Sequence, residues 1–208
     1  MAVMELDPQK MPARDFYRYM IGSIVPRPIA WVSTLSPKGV ANLAPFSFFN
    51  AVGANPPTVV FCPANKRDGS KKDTLLNIEA TKEFVINIVP FALANVMNDT
   101  SAEYAYDESE FDFVKIERAP SQVVKPPRVK SAPVHIECTL TQIVNIGDGA
   151  LGANLVIGRI LWMNVDASVL DAENQIDPRK LDAIGRMGGI GYARTTDLFD
   201  IVRPITKS

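Results

Sequence analysis

Apolar and polar positions alternate over short runs along most of this chain, with proline and glycine between the runs, the pattern of strands joined by turns. Residues 29–34 (IAWVST) are the first such run, and LSPKG then supplies a Ser-Pro and a glycine, a turn into a second strand, VANLA. Asn55-Pro56-Pro57 marks another turn, and residues 58–62 carry a third strand. The period then changes. In KKDTLLNIEATKEFVINIV, Leu75, Leu76 and Ile78 make the apolar stripe of a short helix with Asp73 as its N-cap, and EFVINIV returns to strand composition. After Pro90, FALANVMNDTSAEYA predicts a helix with Phe91, Ala94, Val96 and Met97 toward the core. VHIECTLTQIVNI and ANLVIGRILWMNV are the two longest strand patterns. In the first, Val134, Ile136, Cys138 and Leu140 share one face, leaving His135, Glu137 and Thr139 on the other. Asp177-Pro178 has helix-start chemistry, and GGIGYAR breaks that helix. The expected fold is mainly β with peripheral helices, a barrel within one domain spanning 1–208.

Residues 42–50 (NLAPFSFFN) fit that pattern poorly, with three phenylalanines around a proline and a serine and an asparagine at each end. On a regular strand Phe46 and Phe48 would share one face, and Ser47 and Phe49 the other. Pro45 cannot donate to a ladder, which places the segment at an edge or a bulge. The stretch is either an irregular piece of core or the lining of a flat pocket that needs apolar contact together with directed hydrogen bonds.

Composition narrows the class. The chain has 208 residues, 47% hydrophobic and 22% charged, with a formal net charge of -1, enough to bury a core without a disulfide or metal. No Lys/Arg stripe marks a nucleic-acid surface, and KPPRVK (125–130) reads as a solvated loop. The first twenty residues lack an apolar h-region, and no uncharged apolar run is long enough to span a bilayer. A cytoplasmic protein that binds neither nucleic acid nor membrane is expected. Cys62 and Cys138 lie far apart in strand-like runs, as buried reduced thiols do.

Four local signals bear on chemistry. GDGALG (147–152) matches G-x-G-x-x-G, but a strand follows it where the dinucleotide fingerprint needs a helix, so a hairpin loop is expected. The single histidine, His135, reads as an exposed or hydrogen-bonded strand residue; there is no GxSxG elbow and no compact metal-ligand pattern. DESEFDF (107–113) could pair carboxylates for acid–base work but reads as a solvated loop. In NKRDGSKKDTLLN, Arg67, Lys71 and Lys72 precede a helix start with Thr74 in its first turn, a credible phosphate site.

VPRPIAWVST, NLAPFSFFN, NPPTVVF and KKDTLLNI stand in order with short gaps, followed by EFVINIV. Together they resemble the flavin reductase-like family of FMN-binding split β-barrels, over about residues 15–192. The resemblance implies a Greek-key-like split barrel and a homodimer with one FMN per subunit near the interface. It places Asn42, Ala44, Pro45, Phe46, Ser47 and Phe48 along the isoalloxazine ring, with backbone contacts from 44–48 and a side-chain contact from Ser47. Ser33 and Thr34 would face the ribityl chain or phosphate. Lys72 and Thr74 would hold the phosphate, with Arg27 and Arg67 as helpers. Tyr192, in GGIGYART, would approach the flavin from the second subunit. The implied activity is transfer of hydride from NADH or NADPH to the flavin and of electrons onward, to a partner oxygenase or another redox protein. A flavoprotein acting on its own small substrate and a flavoredoxin-like electron carrier are the alternatives. No catalytic residue is assigned, because the cofactor carries the difficult step.

Overall fold

The computed structural model describes residues 3–204. In chain order the elements are α1 (Ala13–Ser23), β1 (Arg27–Pro28), β2 (Ala30–Leu35), β3 (Ala41–Phe46), β4 (Phe49–Ala54), β5 (Pro57–Phe61), α2 (Asp73–Thr81) and β6 (Glu83–Asn87). There follow α3 (Ala94–Asp99), α4 (Glu110–Phe113), β7 (Arg118–Ala119), β8 (Arg128–Val129), β9 (Val134–Asn145), β10 (Asn154–Val165), α5 (Pro178–Leu181), β11 (Ile184–Arg186) and β12 (Tyr192–Arg194). Seven strands form one antiparallel sheet in the order β3-β2-β6-β9-β10-β5-β4.

That order dictates the shape. The two edge strands, β3 and β4, would lie about 29 Å apart in a flat seven-stranded sheet. Yet only Ser47 and Phe48 separate them in the chain, a link that reaches about 11 Å at most. The sheet therefore rolls until its edges meet at the Ser47–Phe48 corner. Phe46 of β3 then meets Phe61 of β5, ring centroids 5.3 Å apart, and Phe61 meets Phe84 of β6 at 5.4 Å. The rolled interior also holds Val32, Ile86, Ile136, Cys138 and Val156, with Leu75 and Ile78 from α2. Gly158 on β10 permits this packing: a Cβ there would collide with the Phe84 ring.

The other face of β2 is covered as well. Ile29, Trp31, Leu43, Met97, Phe111, Val129 and Ile184 form a second core, pinned by Trp31 Nε1 donating to Thr100 Oγ1 at 2.9 Å. This second layer alters several expectations. His135 is buried, with Nε2 2.8 Å from the Val129 carbonyl and Nδ1 unpartnered; burial lowers its pKa. Glu137 is wholly buried. Within KPPRVK, Val129 sits in β8 with no exposed surface, so the segment is not a free loop.

Other differences are local. β4 and α1 had no counterpart in the sequence pattern. The helix after Pro90 ends at Asp99, and Phe91 faces outward beneath the Arg194 guanidinium, 4.2 Å from the ring centroid. Asp73 is not the cap of α2: Lys72 occupies the N-cap position, and the Asp73 carboxylate pairs with Lys66 at 3.0 Å. GDGALG lies between β9 and β10, a hairpin loop as expected, with Gly149 at φ +75°. Asp177 does cap α5, accepting from Arg179 N–H at 2.8 Å, but that helix has only four residues before Asp182 turns left-handed. Among the described residues no helix is long and apolar enough to cross a membrane.

Candidate functional site

A cavity of about 260 Å³ opens at the corner where the sheet edges meet. Its floor is the end of β3 and the corner itself: Asn42, Ala44, Pro45, Phe46, Ser47 and Phe48. Cys62 and Ala64 continue the wall beyond β5, and Lys66, Lys72, Asp73 and Thr74 bring in the start of α2. Residues 100–104, Glu110 and Tyr17 of α1 complete it. Pro45 is tolerated because β3 is an edge strand, so its missing N–H costs no ladder bond. The chain bends at Ser47, which separates the two phenylalanines expected on one face. Phe46 turns into the core, while Phe48 stays partly exposed beside Tyr17 and under Arg27. Phe49 packs on the barrel interior.

The polar side of the cavity carries a cationic helix start. α2 runs nine residues; the N–H groups of Leu75 and Leu76 bond the Lys72 carbonyl, and those of the first turn ahead of them form the usual anion-seeking end. Lys66 is held by Asp73, and Lys71 by Glu79 at 2.6 Å. Lys72 forms no ion pair among the described residues, so its charge is available to a ligand.

The sequence reading placed Glu110 in a solvated loop; it is 5% exposed and lines the cavity. Its Oε2 accepts from Leu43 N–H at 2.8 Å. Burial pushes the carboxyl up to about 7, with the nearby Asp73 acting in the same direction and the Leu43 bond opposing. Lys66, Cys62, Tyr17 and Tyr104 were also not anticipated. A signal existed for Glu110, since Phe111 follows it in the acidic run and calls for a packing partner.

Of the residues that the resemblance nominates, the cavity gathers Asn42, Ala44, Pro45, Phe46, Ser47, Phe48, Lys72 and Thr74. Five lie elsewhere. Ser33 is fully buried and donates to the Pro127 carbonyl at 2.5 Å. Thr34 is fully buried and accepts from Asn77 Nδ2 at 3.0 Å, so neither hydroxyl is open to a ligand. Arg67 is exposed in the 66–70 turn, and Lys66 takes the place in the cavity. Arg27 stands behind the wall as a clamp: Nη1 donates to the Ile21 and Ile24 carbonyls (2.7 and 2.8 Å), Nη2 to Met187 (3.1 Å) and Nε to Ser47 Oγ (3.4 Å). Tyr192 lines a second cavity, about 440 Å³, with its hydroxyl 3.2 Å from Asn98 Oδ1.

Known proteins share this arrangement of strands. Nitrilotriacetate monooxygenase component B from Bacillus cereus is 32% identical, with a TM-score of 0.91 over 97% of this chain and 100% of that one. The 2-nitrobenzoate 2-nitroreductase NbaA of Pseudomonas fluorescens is 31% identical, with a TM-score of 0.86 over 97% and 96%. A protein with a split barrel domain from Shewanella frigidimarina NCIMB 400 superimposes with a TM-score of 0.81 at 23% identity, over 94% and 96%. The rolled sheet described above is that split barrel. Residues 21–181 match the model of the flavin reductase like domain, and the chain belongs to the flavin reductase-like family.

Proposed function

We propose that this protein is an oxidoreductase that holds FMN in the corner cavity, takes hydride from NADH or NADPH onto it, and passes the electrons to an acceptor. One observation supports this above the others: a flat apolar wall and a cationic helix start open into the same cavity. A flavin mononucleotide needs both, one for its ring and one for its phosphate. When bound, the flavin supplies the hydride-accepting ring. The chain's own part is binding and orientation. Ala44 to Phe48 present backbone groups and an aromatic face to the ring edge, and Ser47 is steadied by Arg27. Lys72, Thr74 and the first turn of α2 hold the phosphate.

The likeness to a monooxygenase component B favours a partner oxygenase as acceptor. The comparable likeness to a nitroreductase favours a second reading, in which FMN is retained and reduces a small substrate directly. The protein acts as a homodimer: Phe199, Ile201 and Val202 expose most of their surface, as apolar chain does when a partner covers it. A single monomeric mass in sedimentation would remove that part of the reading.

The test is an absorption spectrum with added FMN, followed by anaerobic titration with each nicotinamide nucleotide. Bleaching of protein-bound flavin is expected; bound flavin that stays oxidised with both nucleotides would overturn the reductase reading. Release of flavin during turnover separates supply of a partner from reduction of an own substrate. Lys72→Ala is expected to weaken FMN binding by about 1–3 kcal/mol, measured as the dissociation constant. An unchanged constant would take Lys72 out of the phosphate site.

A further inference from the structure

Asn42, Thr74 and Glu110 form one hydrogen-bonded line in the cavity wall, and all three are buried. The Asn42 amide lies 2.9 Å from Thr74 Oγ1 on one side and 3.3 Å from Glu110 Oε1 on the other. Two polarities of this line differ at Leu43, whose N–H lies 3.1 Å from the Asn42 amide atom facing Thr74: it bonds that atom when it is oxygen and relies on Glu110 Oε2 alone when it is nitrogen. With Glu110 ionised, Asn42 Nδ2 donates to Glu110 Oε1, and the amide oxygen takes the Thr74 hydroxyl proton. With Glu110 protonated, the acid donates to the amide oxygen and Nδ2 donates to Thr74 Oγ1. Thr74 is then free to donate into the cavity, beside the start of α2. A buried donor or acceptor left unmatched is costly, so the line switches as a unit.

We propose that Glu110 is a positioning residue for phosphate: by taking one proton from solvent it turns the Asn42 amide, and Thr74 donates to a phosphate monoester at the start of α2. The proposal rests on the FMN reading above and adds that FMN binding takes up a proton. Burial already holds the Glu110 carboxyl near neutrality, which keeps both polarities accessible. The charged and titratable groups around it are Asp73, Lys72 and Lys66 at the α2 start, Glu103 and Tyr104, Cys62, and Tyr17 of α1. On its own segment lie Asp112 and, through Ser109, Arg118. A phosphate at α2 adds negative charge and raises the Glu110 pKa further. Affinity is therefore greatest below the free-state value of about 7 and falls as pH rises through it, levelling off above the bound-state value.

The experiment measures dissociation constants for FMN and for riboflavin, which lacks the phosphate, by fluorescence quenching from about pH 7 to about pH 9, where the monoester is already a dianion. For the wild-type protein the FMN constant is expected to rise by up to about tenfold per pH unit before levelling, while riboflavin stays flat. Glu110→Gln, a permanent donor of the same shape, should bind FMN at neutral pH with a flattened profile. Parallel profiles for the two flavins, or an undiminished slope in Glu110→Gln, would overturn the proposal. If that variant does not fold, calorimetry of the wild-type protein in two buffers of different ionisation heat decides: proton uptake with FMN supports the proposal, and none overturns it. Failure of either flavin to bind at any pH would overturn the FMN reading itself, whereas pH-independent FMN binding overturns only the role of Glu110.

Discussion

Glu137→Ala is expected to lower the unfolding free energy by about 3–5 kcal/mol. The Glu137 side chain is wholly inaccessible on β9. Its two carboxylate oxygens accept from Gln122 N–H at 2.8 and 3.0 Å and from Val123 N–H at 2.7 Å. Hydrogen bonds to a charged group are worth about 1.5–3 kcal/mol each, and alanine would leave the Gln122 and Val123 N–H groups without their acceptor. Glu137 does not line the corner cavity, so flavin affinity of the folded variant should stay near the wild-type value. Denaturant unfolding and flavin titration on the same preparation check both halves. A loss under about 1 kcal/mol would show that the carboxylate does not hold residues 120–124 in place.

Phe61→Ala should cost a similar amount, about 3–5 kcal/mol, with the opposite functional signature. Phe61 has no exposed surface and sits between Phe46 and Phe84. Removing it leaves a void among rings that cannot all collapse inward, since Phe84 already rests on the bare backbone of Gly158. Phe46 is both a neighbour of that void and part of the cavity floor. Its loosening should weaken flavin binding along with stability. Urea unfolding gives the first quantity and flavin titration the second. A destabilised variant with unchanged flavin affinity would mean that the cavity floor is held from elsewhere.

The barrel strands were legible because their chemistry is local: β-branched and aromatic residues alternate in β2, β6, β9 and β10, and prolines or glycines punctuate them. Tertiary facts were not legible. Nothing in VHIECTL says that a second layer covers the outer face, so the sequence does not choose between an exposed and a hydrogen-bonded His135, which is buried and hydrogen-bonded, and gives no sign that Glu137 is buried. Ser33 and Thr34 carry hydroxyls in a suggestive motif, but partners far along the chain, Pro127 and Asn77, consume them. Arg27 likewise spends its donors on carbonyls from three places. α1 was missed although Phe16, Met20 and Ile21 fall at helical spacing, because Asp15 before them and Arg18 among them mask the stripe. The cavity wall from Asn42 to Phe48 was legible as an anomaly: a strand pattern carrying too many aromatic and polar residues at once.

The corner at Ser47 and Phe48 makes chain length itself a constraint at that point. In most surface connections extra residues are cheap, because the entropy of closing a loop grows only slowly with its length. Here the connection is also the seam that brings the first and last strands of the sheet together. Phe48 is tied on its far side as well, its carbonyl accepting from Cys62 N–H at 2.9 Å. One added residue would shift Ser47 from Arg27 and slide the aromatic wall relative to the start of α2. This two-residue link cannot absorb insertions, and the spacing between the Phe46–Phe48 wall and the start of α2 is fixed by it.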